Sequence, residues 1–388
     1  MTEPSLIFPA DEFRGRVARL QAEMGAQGLD ALFLTTAADI FYVTGFLTRF
    51  WESPARPWFV IVPQMGAPVA VIPSIGAELM GRCWIRDVRM WDAPFPGDDG
   101  VSLLAEVICD LLPKRAQIGV PSGLETHVRM PVADYARVAA AIAPRAFVDG
   151  TSALQRVREI KSAAEIAKIR TTCGVADRAF ARVPEFARIG APPDQVFRDF
   201  QVALLQEGAD WGSYVAGAAG PGGYGDVISP ASSVPLAAGD VVMLDTGAVK
   251  DGYFCDFDRN YAVGPLAPAA ARAQEALWQA TERVLAELRP GMRASAVHRM
   301  FVDALEQGGV TPGGGRLGHG LGVTLTEWPS FTPHDQTELR AGMVLTLEPG
   351  AVTDDGQLIV HEENIVLREG GAELLSARAP QVMQEIGA

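Results

Sequence analysis

At 388 residues the chain is long for one core and fits two domains of roughly 150 residues or more each. Apolar residues make up 48% and charged residues 21%, and 33 basic against 47 acidic side chains leave a net charge of −14. Without a basic block, that balance argues against nucleic acid or an anionic membrane as partner, and no apolar window approaches the roughly 18 residues that span a bilayer. Cys83, Cys109, Cys173 and Cys255 are scattered, with no CxxC, as expected of reduced thiols. The start "MTEPSLIFPADEF" has no basic run followed by an apolar one, so a soluble cytoplasmic protein is expected.

In chain order, "DEFRGRVARLQAEMGAQGLD" (11–30) has the spacing of an amphipathic helix ending at Gly28. "ALFLTT", "PWFVIVP" and "PVAVIP" read as short buried strands, "VSLLAEVICDLL" as a helix and "QIGV" as another strand. Alternating strands and helices predict a smaller α/β domain over residues 1–150 with a mixed or parallel sheet. The texture then changes. Helices are predicted over 158–187, "PDQVFRDFQVALLQEG", "APAAARAQEALWQATERVLAEL" and "ASAVHRMFVDALEQGG", with acidic strands between and after them. Residues 151–388 therefore read as an α+β domain, helices packed on a mainly antiparallel sheet, with the boundary near 148–157.

The stretch "VVMLDTGAVKDGYFCDFDRNYAVG" (241–264) is two apolar arms around the turn signal "KDG". A Lys250-Asp251 loop sets Asp245 opposite Asp256. An Asp251-Gly252 loop sets it opposite Asp258, with Asp256 as diagonal neighbour. In either register carboxylates share one face, and like charges opposite one another on a sheet are destabilising unless something neutralises them.

Histidine is scarce, five in all, and His319 lies among glycines in "GGGRLGHGLGV", where the backbone can approach a ligand closely. "MVLTLEPGAV" ends an apolar strand on Glu348, and "GQLIVHEENIVL" places Glu362 in the middle of another, beside His361 and Glu363. Four separate apolar segments thus carry a metal-competent side chain. Carboxylates with one imidazole make a hard, oxygen-rich set suited to Mn, Fe(II), Co or Zn, and so many carboxylates favour two ions sharing bridging ligands.

The order and spacing of these motifs resemble the pita-bread metallohydrolases, among them aminopeptidase P, prolidase, methionine aminopeptidase and creatinase. The carriers of the resemblance are "LDTGAVKDGYFCDFDR", "GHGLG", "LEPG" and "HEENIVL", with "EIKSAAEIAKIR" similar to the helix that opens the catalytic domain. It implies a pita-bread catalytic domain preceded by a creatinase-like N-terminal domain. It further implies two divalent ions, manganese by preference with Fe, Co or Zn as alternatives. Asp245 would hold the first ion, Asp256 and Glu362 would bridge, and His319 and Glu348 would hold the second, Glu348 also assisting proton transfer. A homodimer is implied, in which the N-terminal domain of one subunit partly covers the site of the other.

The pattern departs from the Xaa-Pro peptidases at two histidines. Thr326, in "GVTLTEWP", stands where one occurs seven residues after the metal-binding histidine, and "YGDVISPASS" holds none where the other falls. Asp258 stands where the family has Thr. Loss of such a stabiliser costs a factor of about 100 to 1,000 in rate. His361 or His334 are the candidate replacements. "LTRFWESPARPWF" (47–59) is dense in aromatics and Arg, so Arg49, Phe50 and Trp51, with Trp211, Thr326 and Trp328, are candidate substrate contacts. The implied activity is hydrolysis of an amide or other C–N bond in a small carboxylate-bearing substrate, with an Xaa-Pro dipeptide as the default. The alternatives are a specialised non-peptide C–N hydrolase, a metal-dependent lyase resembling the dimethylsulfoniopropionate lyases with Asp258 or Glu327 as base, and a binding protein on a retired enzyme scaffold.

Overall fold

The computed structural model describes residues 7–51 and 57–387, the side chain of Tyr214 apart, so residues 52–56 of the aromatic stretch lie outside the described residues. The chain divides into two compact units, Met1–Arg158 and Glu159–Ala388.

The first unit runs α1 (Ala10–Gln27), β1 (Ala31–Leu34), α2 (Ala37–Thr44), β2 (Phe59–Pro63), β3 (Val69–Pro73), α3 (Ala77–Gly81), β4 (Asp87–Trp91), α4 (Val101–Leu111), β5 (Gln117–Val120), α5 (Val132–Ala141), β6 (Ala146–Asp149) and α6 (Thr151–Arg158). Its six strands form one sheet in the order β4-β3-β2-β1-β5-β6. The sheet is mixed: β1 runs antiparallel to β2 but parallel to β5. All the strands and helices expected here are present, and α1 stops as expected at Gly28, which adopts φ of 68° as a left-handed cap. Sequence reading passes over α2 because six of its eight residues are buried, leaving no apolar stripe to detect. It also passes over β4, an edge strand whose residues are all partly exposed. Phe33, Ile61, Val71, Leu104 and Ile108 centre the apolar core.

In the second unit the helix expected over 158–187 is broken. The α6 helix ends at Arg158, and α7 (Ala163–Ala181) starts afresh at a capping box, in which Ser162 Oγ accepts from the Glu165 amide while Glu165 Oε2 accepts from the Ser162 amide. Between them Lys161 donates its amide to the Gly342 carbonyl. There follow α8 (Pro193–Gln206), β7 (Trp211–Pro221), β8 (Asp240–Lys250), β9 (Tyr253–Phe254), β10 (Phe257–Val263), α9 (Pro268–Glu287), α10 (Ala294–Gln307), β11 (Thr311–Pro312), β12 (His319–Gly320), β13 (Glu327–Ser330), β14 (Val344–Leu347), β15 (Gly350–Val352), β16 (Leu358–Val360), β17 (Glu363–Arg368), β18 (Gly371–Leu374) and β19 (Gln384–Ile386). The larger sheets are β19-β10-β8-β7, with β9 on β8, and β13-β12-β14-β17-β18. The small one is β11-β15-β16.

Val241 and Met243 of β8, Ala262 of β10, Leu345 and Leu347 of β14, Ile365 and Leu367 of β17 and the inner faces of α9 and α10 share one apolar core. Side chains on a strand alternate faces, so the face of β8 that carries Val241 and Met243 also carries Asp245. That core therefore runs directly into the acidic pair.

The loop before β12 admits no side chain at Gly318, where φ is +134° and an added Cβ would lie 2.3 Å from the Thr346 carbonyl oxygen. Gly318→Ala is expected to destabilise the second unit by about 2 kcal/mol or more and to lower its thermal midpoint by several degrees. An unchanged midpoint would show that the approach of β12 to β14 is looser than this geometry.

Candidate metal centre

The acidic hairpin takes the second of the two possible registers. Lys250 pairs with Tyr253 and Asp245 with Asp258, so the loop is Asp251-Gly252. Both loop residues have positive φ, 53° and 78°, as a type I′ turn requires. Asp256 falls in the gap between β9 and β10, where the ladder is interrupted. One side chain replaces the missing ladder bonds. Asn364 Oδ1 accepts from the Asp256 amide at 2.9 Å, and Asn364 Nδ2 donates to the Asp256 carbonyl.

His319 sits on the two-residue strand β12, between β13 and β14. Its amide donates to Thr346 Oγ1, and its Nδ1 lies 2.7 Å from the Gly320 carbonyl. That contact requires the proton on Nδ1 and leaves the Nε2 lone pair for another partner. Nε2 points at the carboxylates, 3.3 Å from Asp256 Oδ2 and 4.0 Å from Glu348 Oε2. Glu348 follows directly on β14. Glu362, expected in mid-strand, stands instead at the junction of β16 and β17, one residue before the ladder resumes.

One donor atom each from Asp256, His319 and Glu362 lie within 4.8 Å of one another, all three residues being buried. Burial and mutual repulsion disturb the acids strongly. Burial pushes Asp256 up to about 8, against the opposing pull of Arg316. Glu348 is raised to about 7, chiefly by burial. Glu362 is raised well above the ordinary range by burial, then by Asp256, Glu348 and Asp245. Glu362 Oε1 is buried with no hydrogen-bond partner among the described residues. Crowded carboxylates that repel one another and keep an oxygen unsatisfied fit a cation between them.

Around this centre stand groups that sequence reasoning assigned differently or missed. Asp258, a candidate base, is sealed: Oδ1 accepts the Glu362 amide at 2.5 Å and Oδ2 accepts from Asn260 Nδ2. His361, the candidate proton donor, is buried with Nε2 2.6 Å from Arg378 Nη1. Burial pushes it down to about 3, so it is a neutral acceptor there and has no proton to give from that nitrogen. Glu327 is likewise occupied, bound to Lys161 Nζ at 3.0 Å and to the amides of Val323 and Thr324. Thr326 is half-buried, with its hydroxyl 3.5 Å from Arg316 Nη2. Trp328 lies on β13, next to the His319 strand, whereas Trp211 pairs with Val249, about 13 Å along β8 from Asp245 at roughly 3.3 Å per residue.

Arg49, Phe50 and Trp51 belong to the first unit. There Arg49 and Phe50 are exposed, and Trp51 packs on Phe46 and Trp58 beneath the Arg129 guanidinium. Arg316 and Asn364 were both within quoted motifs, and the signal for each was a polar side chain in an apolar or glycine-rich run. His334 occupies the loop after β13.

Residues 167–369, more than half the chain, match the model of Metallopeptidase family M24. The chain belongs to that family. Residues 16–160 match the Creatinase/Prolidase N-terminal domain, so a creatinase-type domain precedes an M24 catalytic domain, and the chain is an enzyme of a hydrolase family that works with divalent metal. It is similar to a probable dipeptidase PepE of Mycobacterium tuberculosis, 27% identical over 94% of each chain. The crystal structure of dipeptidase PepE from Mycobacterium ulcerans matches with a TM-score of 0.84 at 28% identity, covering 98% of this chain and 100% of that one. A prolidase from Thermococcus sibiricus shares the fold, with a TM-score of 0.84 at 22% identity over 96% and 99% of the two chains.

Raised carboxylate values fix the sign of a pH effect. Folded Asp256 and Glu348 keep protons that the unfolded chain releases near pH 4, so without metal their contribution to stability falls as pH rises from about 4 through 7 to 8. A divalent ion competes with those protons. The gain in thermal midpoint from adding manganese to chelator-treated M24 protein should therefore grow between about pH 5 and pH 8, measured by calorimetry. A gain that shrinks over that range would contradict the carboxylate assignment.

Proposed function

We propose that this M24 enzyme is a two-metal hydrolase of a C–N bond in a small carboxylate-bearing substrate, with an Xaa-Pro dipeptide as default. The close approach of Asp256, His319 and Glu362, with Glu348 4.0 Å from the imidazole, carries the reading. The similarity to chains named dipeptidase over nearly their whole length supports it.

In this reading Asp245, Asp256, His319, Glu348 and Glu362 hold two divalent ions, and manganese suits the oxygen-rich set. Such a pair supplies a Lewis acid for the scissile carbonyl and a water acidic enough to attack near neutral pH. The protein's own contribution is placement. Asn364 fixes the backbone of Asp256, Asp258 fixes that of Glu362, and the Gly320 carbonyl holds His319 in the tautomer that presents Nε2. Glu348, with 34% of its side chain exposed, is the carboxylate through which a proton can pass between the centre and solvent, at Oε2. A homodimer in the cytoplasm completes the reading, in keeping with the net negative charge and free cysteines. No helix among the described residues is long and apolar enough to cross a membrane.

Thr326 in place of a histidine favours, as second reading, a specialised non-peptide C–N substrate. The lyase reading loses ground, because Glu327 and Asp258, its two candidate bases, are both bound by protein groups.

Manganese-loaded protein is expected to carry about two ions per chain and to release proline from Ala-Pro. Chelation should abolish release, and Asp256→Asn should lower kcat/KM by about a hundredfold or more. Two ions without release from any dipeptide would leave the centre and select the non-peptide reading. Full activity in Asp256→Asn would remove the metal mechanism.

A further inference from the structure

We infer that Tyr224 and Asn260 are positioning residues of the metal centre, which set Glu362 through Asp258. The inference rests on the reading above, in which Glu362 holds metal.

Glu362 follows β16, the outer strand of the small sheet β11-β15-β16. One edge of β16 pairs with β15, Ile359 standing opposite Ala351, and beyond it the His361 amide donates to the Pro349 carbonyl. Residues 358, 360 and 362 turn their polar backbone groups the other way, where that sheet has no further strand. Groups from Tyr224 and β10 close this edge instead. Leu358 exchanges both backbone hydrogen bonds with Tyr224, at 3.1 and 2.7 Å. The Val360 amide donates to the Tyr224 hydroxyl at 2.7 Å, and its carbonyl accepts from Asn260 Nδ2 at 2.7 Å. The Glu362 amide donates to Asp258 Oδ1, and its carbonyl accepts from Arg259 Nη1.

The side chains on this edge also orient one another. The Tyr224 oxygen receives the Val360 amide, and its own proton goes to Asn260 Oδ1, 3.1 Å away. That contact decides which end of the Asn260 amide faces the centre. Nδ2 is left to serve the Val360 carbonyl and Asp258 Oδ2, the latter at 3.3 Å. Asp258 and Asn260, two apart on β10, share a face, and Asp258 stands opposite Asp245. One carboxylate therefore faces one metal-competent acid and grips the backbone of another, and its orientation traces back to the buried Tyr224 hydroxyl. Without that hydroxyl the Val360 amide loses its acceptor, and Asn260 is free to turn its oxygen against the Asp258 carboxylate. Tyr224 opens the segment "YGDVISPASS", in which the second histidine of the Xaa-Pro peptidases is missing.

Calorimetric titration of chelator-treated protein with manganese, run beside the thermal midpoint of the metal-free protein, tests this directly. Tyr224→Phe is expected to bind manganese about tenfold or more weakly at one or both sites, as loss of a group that orients a ligand does. Tyr261→Phe is the control. It removes a buried hydroxyl next to Asn260 that donates to the Phe180 carbonyl at 2.9 Å, and it should lower the midpoint with manganese affinity unchanged. Asn260→Ala, which leaves Tyr224 in place, is expected to repeat the weakening and serves where Tyr224→Phe does not fold. Wild-type affinity in Tyr224→Phe or in Asn260→Ala, or an equal loss in Tyr261→Phe, would reduce these contacts to structural ones and overturn the inference. One ion per chain in wild type, bound more weakly by Tyr224→Phe, would remove the two-metal reading and keep the inference. No manganese bound by wild type would overturn both.

Discussion

Carboxylates withdrawn from water next to one another are the constraint around which the second unit is organised. A buried charge without a partner costs several kcal/mol even after the protein relaxes. Asp256, Asp258 and Glu362 are all nearly sealed from solvent, and Asp245 faces Asp258 directly across two strands. Such a cluster persists only if the backbone beneath it cannot move apart and if something positive balances it.

The fold meets the first demand with side chains that grip the backbone. Asn364 holds both polar backbone groups of Asp256 where the ladder fails, and Asp258 accepts the Glu362 amide. Behind them Glu363, fully buried, joins Arg259, Arg378 and Ser376 and ties β17 to β10 and to the segment after β18. These polar groups are satisfied by one another, so the wall of the site is rigid while its inner oxygens stay available. A metallopeptidase needs that combination, because a metal's affinity depends on ligands already in place.

How far this was legible in sequence follows from the same physics. An acid in an apolar strand is conspicuous, and so Asp245, Asp256, Glu348 and Glu362, with His319 among its glycines, stood out at once. The register of the hairpin did not, because "KDG" permits two loops and only the positive φ of Asp251 and Gly252 selects one. Roles that depend on distant partners were illegible. His361 and Glu327 read as spare acid–base groups, yet Arg378 lies 17 residues from the first, and Lys161 lies 166 residues before the second. In the first unit, the mostly buried α2 and half-exposed β4 lack the periodic contrast on which sequence reading relies.

The most direct measurement is anomalous diffraction at the manganese edge from crystals of the manganese-soaked protein. Two peaks within ligand distance of Asp256 and Glu362, one also against His319 and Glu348 and the other against Asp245, are the expected result. A single peak, or none at these carboxylates under saturating metal, would contradict a two-metal centre and return the buried acids to a purely structural role.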